Sequence, residues 1–257
     1  MKHGDFSLLA EDYSRYRPDY APVILKSVIG LIDKPRREID VADVGAGTGI
    51  LSRMFSNYDL KSITAVEPNH QMRLAGEKLS QSKKISWING SGEKTGLPDN
   101  SVDILSMASA FHWVDFEKGI QEFNRILRPK GIFVPLWNPR FIKNDPMLIE
   151  IEDYLTKLKG SKIKRVSSGV MDFTDNLTKR LEDCGKFEEI IYVEAKHKII
   201  FSKERYLGAW RSVNDLRVQL GEEKFSSFLS WVENRISKVE NIHALYQNRA
   251  WVAKKKK

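Results

Sequence analysis

Short apolar runs alternate with amphipathic stretches through the first half of the 257-residue chain. A sheet that is covered on both faces buries its strands completely, so those strands read as short, continuous apolar runs. Five such runs are predicted as strands: Val41–Val44, Ile63–Val66, Ile85–Ile88, Val102–Met107 and Ile132–Trp137. The segments between them repeat apolar residues at helical spacing, as after the candidate caps Asn69 and Asp115,. This alternation predicts an α/β fold with a parallel sheet between two layers of helices.

The second half of the chain is less regular, but the same criteria predict further elements,. The predicted helices are Tyr20–Ile32, Met147–Leu158, Leu177–Cys184, Lys203–Ser212 and Glu222–Val239. The predicted strands are Phe187–Phe201 and Ala244–Ala253. A turn is predicted at Tyr13–Tyr20 and a loop at Gly160–Gly169. We expect one domain over residues 1–257, with a core of segments 33–137, 174–201 and 243–253. The remaining segments, 1–32, 138–173 and 202–242, are expected to form cap elements.

The first predicted strand leads into three alternate glycines, Gly45, Gly47 and Gly49, and then into a predicted helix. Such a unit favours a nucleotide-like ligand, because glycines allow the backbone to approach closely and a helix N-terminus offers free N–H groups. The dinucleotide fingerprint is G-x-G-x-x-G, and here Ile50 occupies the place of its third glycine,. This spacing disfavours a nicotinamide dehydrogenase. A tight turn without a ligand is the structural alternative.

Polar and glycine-rich residues follow several of the predicted strands. Glu67 ends the second strand, Gly90–Glu93 follows the third and Ser109–Trp113 follows the fourth. Ligands of such sheets bind beyond the carboxyl ends of the strands, so we expect these segments and the glycine turn to converge. An acid at Glu67 can accept hydrogen bonds from both hydroxyls of a ribose. A purely structural role at a helix start is the alternative for Glu67.

The order of these motifs resembles that of the class I S-adenosylmethionine-dependent methyltransferases, in particular their small-molecule branch with the ubiquinone/menaquinone-type and trans-aconitate-type enzymes. The motifs that carry the resemblance to the whole class are Asp43-x-Gly-x-Gly-x-Gly49, Glu67-Pro68, Gly90–Glu93, Leu97–Asp103 and Leu127–Gly131. The motifs that resemble the trans-aconitate type in particular are Tyr13–Pro18, Ala110–Asp115 and Trp210–Ser212. The resemblance implies a Rossmann-like doubly wound sheet of seven strands in the order 3-2-1-4-5-7-6. It also implies that the sheet is mostly parallel, with one antiparallel strand near the C-terminus, and that it carries a helical cap.

The resemblance implies S-adenosyl-L-methionine as cofactor, S-adenosyl-L-homocysteine as product and no metal. The residues expected at the cofactor are Tyr13, Arg17, Asp43, Gly45, Ala46, Gly47, Gly49, Glu67, Pro68, Ser91, Gly92, Glu93 and Ser109. The residues expected around the acceptor are Tyr16, His112, Trp113, Trp137, Arg140, Trp210 and Arg211. Ser91 stands where the family often has an aspartate, so the carboxylate contact to the adenine amino group is missing.

Methyl transfer from a sulfonium is an in-line displacement, so positioning and desolvation supply much of the catalysis. The aromatic faces of Tyr13, Tyr16 and Trp113 can stabilise the sulfonium cation. His112 is the candidate general base, which an oxygen nucleophile of high pKa needs and a carboxylate does not. A pocket-lining hydrogen bond and a structural role are the alternatives for His112.

Three arginines, Arg17, Arg140 and Arg211, are candidates for a bidentate contact with an anionic substrate,. For each of them, a solvated position at the surface is the alternative. His and Asp do not occur at metal-ligand spacing, which disfavours chemistry that depends on Mg²⁺,.

Charge and cysteine content limit the setting in which the protein acts. The single cysteine, Cys184, excludes an internal disulfide and fits a reducing compartment,. No apolar run resembles a signal peptide or a membrane span, so we expect a cytoplasmic protein,. The net charge of +8 includes Lys254–Lys257, which is predicted as a solvated tail, with a nucleic-acid contact as the alternative,.

The leading functional hypothesis is methyl transfer to an oxygen of a small metabolite, either a hydroxyl or a carboxylate. The alternatives are methylation of carbon or nitrogen on a quinone, sugar or natural-product precursor, methylation of RNA, and cofactor binding without catalysis. The expected partner is a small molecule, possibly an anion, and the expected oligomeric state is a monomer or a homodimer. No membrane partner is expected.

Overall fold

The computed structural model describes residues 9–143, 145–164 and 171–256. The predictions for the first eight residues, for part of the loop Gly160–Gly169 and for Lys257 lie outside the described residues. The helices are α1 Ala10–Tyr16, α2 Pro22–Gly30, α3 Ile50–Phe55, α4 His70–Leu79, α5 Phe116–Ile126, α6 Pro146–Lys159, α7 Met171–Thr174, α8 Leu177–Asp183, α9 Lys203–Arg211 and α10 Asn214–Ile236. The strands are β1 Asp40–Val44, β2 Ser62–Val66, β3 Ser86–Ile88, β4 Val102–Ala108, β5 Leu127–Trp137, β6 Phe187–Phe201 and β7 Ile242–Lys255.

All seven strands form one sheet in the order β3-β2-β1-β4-β5-β7-β6. The strands from β3 to β5 pair in parallel, whereas β7 runs antiparallel to both β5 and β6. The predicted strand order and the single antiparallel strand are therefore confirmed. All five residues of β1 are buried, as expected for a central strand with both faces covered,.

Helices cover both faces of the sheet, and their starts follow the predicted caps. Asn69 accepts hydrogen bonds from the backbone N–H groups of Gln71 and Met72 at 3.0 and 3.1 Å. Asp115 accepts one from the backbone N–H of Lys118 at 3.0 Å. These side chains satisfy N–H groups that the first helical turn leaves without partners. With both faces covered, the carboxyl ends of the parallel strands remain open for a ligand.

A separate apolar cluster joins the cap helices to the ends of β6 and β7, and Tyr16 of α1 belongs to it. A Cβ atom at Gly208 of α9 would lie 2.1 Å from the Tyr16 ring, so only glycine allows this close contact. The contact fixes α1 against α9 at the edge of the sheet. The described part of the chain thus includes a helical cap, as predicted.

Two boundaries differ from the predictions. The segment predicted as a turn from Tyr13 is helical up to Tyr16, because Tyr16 packs into the cap cluster. The helix predicted from Glu222 begins at Asn214, and its helical geometry is interrupted at Gly221, where φ is 74° and ψ is 167°. Although α10 is 23 residues long, it is not apolar enough to span a membrane, and no other described helix is a candidate.

The prediction of a solvated lysine tail is wrong for Lys254 and Lys255, which belong to β7. Lys254 forms an ion pair with Glu189 at 2.8 Å, and Lys255 donates to the backbone oxygen of Leu127 at 2.7 Å. The backbone N–H of Lys256 donates to the oxygen of Lys186 at 3.0 Å. Pairing of β7 with distant strands therefore orders the start of Lys254–Lys257. The composition of this segment does not reveal such partners, because they lie far away in the sequence.

Candidate active site

A cavity of about 420 Å³ lies at the carboxyl ends of the parallel strands. Its wall includes residues that directly follow β1, β2, β4 and β5, together with Ser91–Glu93 from the loop after β3, so the predicted convergence is present. The predicted site residues in the wall are Tyr13, Arg17, Gly45, Ala46, Gly47, Glu67, Pro68, Ser91, Gly92, Glu93, Ser109, Trp113 and Arg140. The predicted site residues that the described wall does not include are Tyr16, Asp43, Gly49, His112, Trp137, Trp210 and Arg211.

The glycine turn forms one side of the cavity. The φ angles of Gly45 and Gly47 are +68° and +58°, in the left-handed region that glycine occupies without strain,. The backbone N–H groups of Gly45 and Ala46 both donate to the oxygen of Val66, at 2.8 and 3.1 Å. A Cβ atom at Gly45 would lie only 2.6 Å from the Cβ of Ala110. The close approach of β1 and the segment after β4 therefore requires glycine at this position.

Asp43 lies behind the turn and is completely buried. It accepts hydrogen bonds from the hydroxyls of Ser52 and Ser106, at 2.6 and 3.2 Å, and so links β1 to α3 and β4. Burial raises the pKa of the Asp43 carboxyl to about 6, although both serine hydroxyls act in the opposite direction,. This location suits a residue that holds the turn rather than one that contacts a ligand.

Asp43 is expected to make stability depend on pH. Its raised pKa means that the folded protein binds this proton more tightly than the unfolded chain, whose aspartate pKa is about 3.9,. The resulting stabilisation is complete below about pH 4 and is lost as the pH rises through about 6,. We expect the free energy of unfolding of Asp43→Asn, relative to that of wild type, to be about 1 kcal/mol higher at pH 7.5 than at pH 5. Urea unfolding of both proteins at the two pH values measures this difference. A difference that does not change with pH would contradict this account.

Glu67 is buried and faces the glycine turn across the cavity wall. One carboxylate oxygen accepts from the backbone N–H of Gly47 at 2.7 Å, and the other accepts from that of Asn69 at 2.8 Å. Burial raises the pKa of Glu67, and these two backbone hydrogen bonds lower it. An ionised carboxylate can accept about four hydrogen bonds, so capacity remains for the two hydroxyls of a ribose. The structure thus positions Glu67 before any ligand is bound.

His112 lies behind the wall instead of in it. Its Nδ1 accepts a hydrogen bond from the indole N–H of buried Trp137 at 3.2 Å, and its Nε2 is buried without a partner among the described residues. Burial lowers the pKa of His112 to about 4, so the ring is neutral near pH 7,. Since Nδ1 accepts, Nε2 carries the proton of the neutral ring. The one nitrogen of the neutral His112 ring that can accept a proton, Nδ1, is therefore already bound to the Trp137 N–H.

The substitution His112→Ala is expected to affect stability more than turnover. The buried Trp137 N–H would lose its acceptor, which should lower the free energy of unfolding by about 1–3 kcal/mol,. Trp137→Phe removes the same bond from the other side and serves as the matched variant. Urea unfolding and saturating turnover separate the two effects. A large loss of turnover with unchanged stability in His112→Ala would restore the general-base hypothesis.

Four predicted acceptor residues occupy other places. Tyr16 is buried and donates to Glu204 at 2.8 Å, and Arg211 pairs with Asp12 at 3.2 Å. Trp210 is buried beneath Arg140, with the guanidinium carbon 3.7 Å from its ring centroid. Trp137 contacts His112 as described. Sequence motifs give residue types but not the direction of a side chain on a cap helix, so the sequence did not predict these contacts.

The cavity wall also contains residues that the sequence did not predict. The additional polar residues are Tyr20, Asn69, Asn138, Glu152 and Tyr246, and the additional apolar ones include Met72, Val114, Ile142 and Val213. Tyr20 and Ser109 place their hydroxyl oxygens 3.3 Å apart. Most of these residues lie outside recognisable motifs and reach the cavity through pairing of distant segments.

The comparisons with known proteins agree with this geometry. Residues 42–134 match the methyltransferase domain family. An uncharacterized methyltransferase of Mycobacterium bovis is 35% identical over 128 residues, which are 50% of this chain and 49% of that protein. An uncharacterized methyltransferase of Schizosaccharomyces pombe is 25% identical over 232 residues, which are 90% of this chain and 87% of that protein. A solved structure from Anaeromyxobacter dehalogenans, described as a type II methyltransferase, has a TM-score of 0.69 at 18% identity and covers 93% of this chain and 98% of its own.

The chain therefore contains a methyltransferase domain. Its matched domain, its relatives and its strand order are similar to those of methyltransferases. It spans about half the length of the Mycobacterium relative that it matches at 35% identity. In residues 9–143, 145–164 and 171–256, no group of three or more His, Cys, Asp or Glu side chains is arranged to hold a metal.

Proposed function

We propose that this protein transfers a methyl group from S-adenosylmethionine to an oxygen of a small-molecule acceptor, a hydroxyl or a carboxylate. One observation carries the proposal: the carboxylate of Glu67 and the glycine turn face one cavity at the carboxyl ends of the strands in a methyltransferase fold. The volume of about 420 Å³ is in the range of small-molecule sites,.

The residues of this cavity fit S-adenosylmethionine. Glu67 has hydrogen-bonding capacity left for a ribose diol, and the wall at Gly45 and Gly47 is backbone, which a ligand can approach closely,. The apolar side chains of Met72 and Val114 offer contacts for a planar base,. We assign the ribose to Glu67 and the amino-acid end of the cofactor to the glycine turn.

The contribution of the protein is to bind, orient and exclude water. When bound, S-adenosylmethionine supplies a methyl group on a sulfonium, which becomes a thioether as the carbon–oxygen bond to the acceptor forms. Trp113 and Tyr13 are aromatic residues of the wall, and an aromatic face next to the sulfonium would stabilise the cation; the Tyr13 ring already contacts Arg17, whose guanidinium carbon is 4.9 Å from the ring centroid,. Burial raises the pKa of Tyr20, so its phenol stays protonated and keeps its contact with Ser109,. The wall contains the carboxylates of Glu67, Glu93 and Glu152, which can accept a proton from a hydroxyl acceptor, whereas an acceptor oxygen that is already ionised needs no base,.

The proposal is tested by incubating the protein with methyl-labelled S-adenosylmethionine and a panel of hydroxy acids, carboxylic acids, amines and quinols. The expected result is label in an organic product together with release of S-adenosylhomocysteine. Calorimetric titration with S-adenosylmethionine is performed on the same sample. Failure to bind the cofactor would overturn the assignment of the cavity. Binding without turnover would favour the non-catalytic alternative, and label on nitrogen or carbon would replace the proposed acceptor atom.

A further inference from the structure

The outer edge of the sheet at β6 has no partner strand among the described residues. β6 is the last strand in the sheet order, and the described backbone hydrogen bonds of residues 188–200 go to β7 alone. An unpaired edge offers a row of N–H and C=O groups to which another strand can bind. Three large apolar side chains that remain exposed, Ile191, Tyr192 and Ile200, also lie on this strand. The edge of β6 is therefore a candidate interaction surface.

The ladder between β6 and β7 shows which backbone groups point to this edge. The N–H of Gln247 donates to the oxygen of Pro139 at 2.9 Å, on the β5 side of β7. Successive residues of an antiparallel strand direct their N–H and C=O groups to opposite sides, so Tyr246 faces β6, where its partner is His197,. Every second residue of β6, counted from the neighbours of His197, therefore directs its backbone groups away from β7. In the regular ladder these residues are Tyr192, Glu194, Lys196, Lys198 and Ile200.

The two faces of β6 differ in their surroundings. On one face, Val193 and Ala195 pack against an apolar cluster to which α2 contributes, and this contact holds the strand in place. On the other face, the side chains of the five residues with outward-directed backbone groups are all exposed. A strand that binds to the edge would therefore meet these exposed side chains next to the free backbone groups.

The exposed face carries charges of both signs. The hydroxyl of Tyr192 donates to the carboxylate of Glu194 at 2.6 Å, and this bond lowers the pKa of Glu194, which is ionised near neutral pH. The ammonium group of Lys196 lies 4.6 Å from the ring centroid of Phe141. Lys198 adds a second positive charge further along the strand. Ala195 thus separates a negative residue from a positive one.

Because the charges on either side of Ala195 have opposite signs, the edge is complementary to a second copy of itself. When two β6 strands run antiparallel about a two-fold axis at Ala195, Glu194 of each copy lies opposite Lys196 of the other. Tyr192 lies opposite Lys198 in the same way, where a cation–π contact can form. Opposite charges at directly facing positions stabilise a pair of strands. At the axis, the small side chain of Ala195 faces its own copy without crowding.

Other registers of the same two strands are less favourable. A shift by one residue brings outward-directed backbone groups against groups that are already bonded to β7. A shift by two residues places either Glu194 or Lys196 opposite its own copy, and like charges at facing positions destabilise the pair. Lysine on an edge strand commonly prevents pairing, but here Lys196 and Lys198 each have a complementary group across the axis. The charge pattern therefore specifies one register.

We propose that this protein forms a homodimer in which β6 of one copy pairs antiparallel with β6 of a second copy about a two-fold axis at Ala195. The pairing joins the two seven-stranded sheets into one continuous sheet,. No residue of β6 belongs to the described cavity wall, so this interface is separate from the candidate active site. The dimer does not depend on the proposed methyl transfer.

Sedimentation equilibrium of the full chain, from about 1 μM to about 100 μM, measures the association. The proteins are wild type, Glu194→Lys, Lys196→Glu, an equimolar mixture of these two variants, and Lys78→Glu. Lys78 is the control because it is exposed on α4, which connects β2 to β3, and because its replacement changes the net charge as Lys196→Glu does. Melting curves check that every variant is folded.

Wild type is expected to dimerise in this concentration range. Each of the two β6 variants places like charges opposite each other at both positions next to the axis, so its dissociation constant should rise about tenfold or more. In the mixture, the two lysines of Glu194→Lys face the two glutamates of Lys196→Glu, so a heterodimer should form about as tightly as the wild-type dimer. Lys78→Glu should match wild type.

Four results would overturn the proposal. A wild type that stays monomeric throughout would refute the dimer, and β6 variants that dimerise as tightly as wild type would assign the interface to another surface. A mixture that associates no more tightly than either variant alone would refute the register. Dissociation of Lys78→Glu to the same extent as Lys196→Glu would attribute the effect to net charge. None of these results bears on cofactor binding, which is tested separately.

Discussion

The substitution Glu67→Ala is expected to weaken binding of S-adenosylmethionine by about 1–3 kcal/mol, which corresponds to a loss of affinity of roughly 5- to 150-fold. The buried carboxylate already accepts hydrogen bonds from the backbone of Gly47 and Asn69, and the proposed ribose contacts would add two more. Its removal takes away the ribose acceptor and loosens the glycine turn at the same time.

A graded series separates these two effects of Glu67. Glu67→Gln keeps the shape and one acceptor oxygen, so its affinity should fall between wild type and Glu67→Ala. Glu117→Ala, at an exposed position in the first turn of α5, is the control and should leave the affinity unchanged. Calorimetric titration gives the dissociation constants. Equal affinities in wild type and Glu67→Ala would remove Glu67 from the site.

The substitution Gly45→Ala is expected to reduce both stability and cofactor affinity. A methyl group at this position would lie 2.6 Å from the Cβ of Ala110, and the φ angle of +68° is strained for alanine,. Separation of β1 from the segment after β4 would shift the turn to which we assign the amino-acid end of the cofactor. We expect a loss of about 2–5 kcal/mol in the free energy of unfolding, from strain and overpacking together.

Gly185 provides a matched control for this substitution. Its φ angle is +69°, and nothing lies within 4 Å of the Cβ position, so Gly185→Ala carries the backbone strain without the clash. Urea unfolding of both variants measures the strain, and the difference between them measures the steric contact. If Gly45→Ala were as stable as Gly185→Ala and bound S-adenosylmethionine like wild type, the close packing of the turn would have no functional role.

The sheet and the part of the cavity wall that follows β1 and β2 were predictable because their signals are local. Buried parallel strands such as β1 appear as continuous apolar runs, and the turn after β1 requires glycine at Gly45 for a steric reason,. Glu67 directly follows β2, and the carboxyl ends of parallel strands meet at one edge. Strand order then brings these short segments together.

The acceptor side was predictable only in residue type. Arg140 reaches the cavity because its segment pairs with Tyr246, more than 100 residues further along the chain. Tyr16 and Trp210 lie in the cap cluster because α1 and α9 turn those faces inward, which spacing alone does not specify. His112 is withdrawn by its bond to Trp137. Each of these outcomes depends on packing between distant elements.

A crystal structure with S-adenosylhomocysteine would show whether the cavity at the carboxyl ends of β1 to β5 binds the methyl donor. We expect both ribose hydroxyls to lie within hydrogen-bonding distance of Glu67 and the homocysteine to lie against Gly45 and Gly47. We also expect the sulfur to be directed toward the part of the cavity that holds Arg140. A ligand bound elsewhere in the molecule, or a ribose without contact to Glu67, would show that this cavity is not the proposed cofactor site.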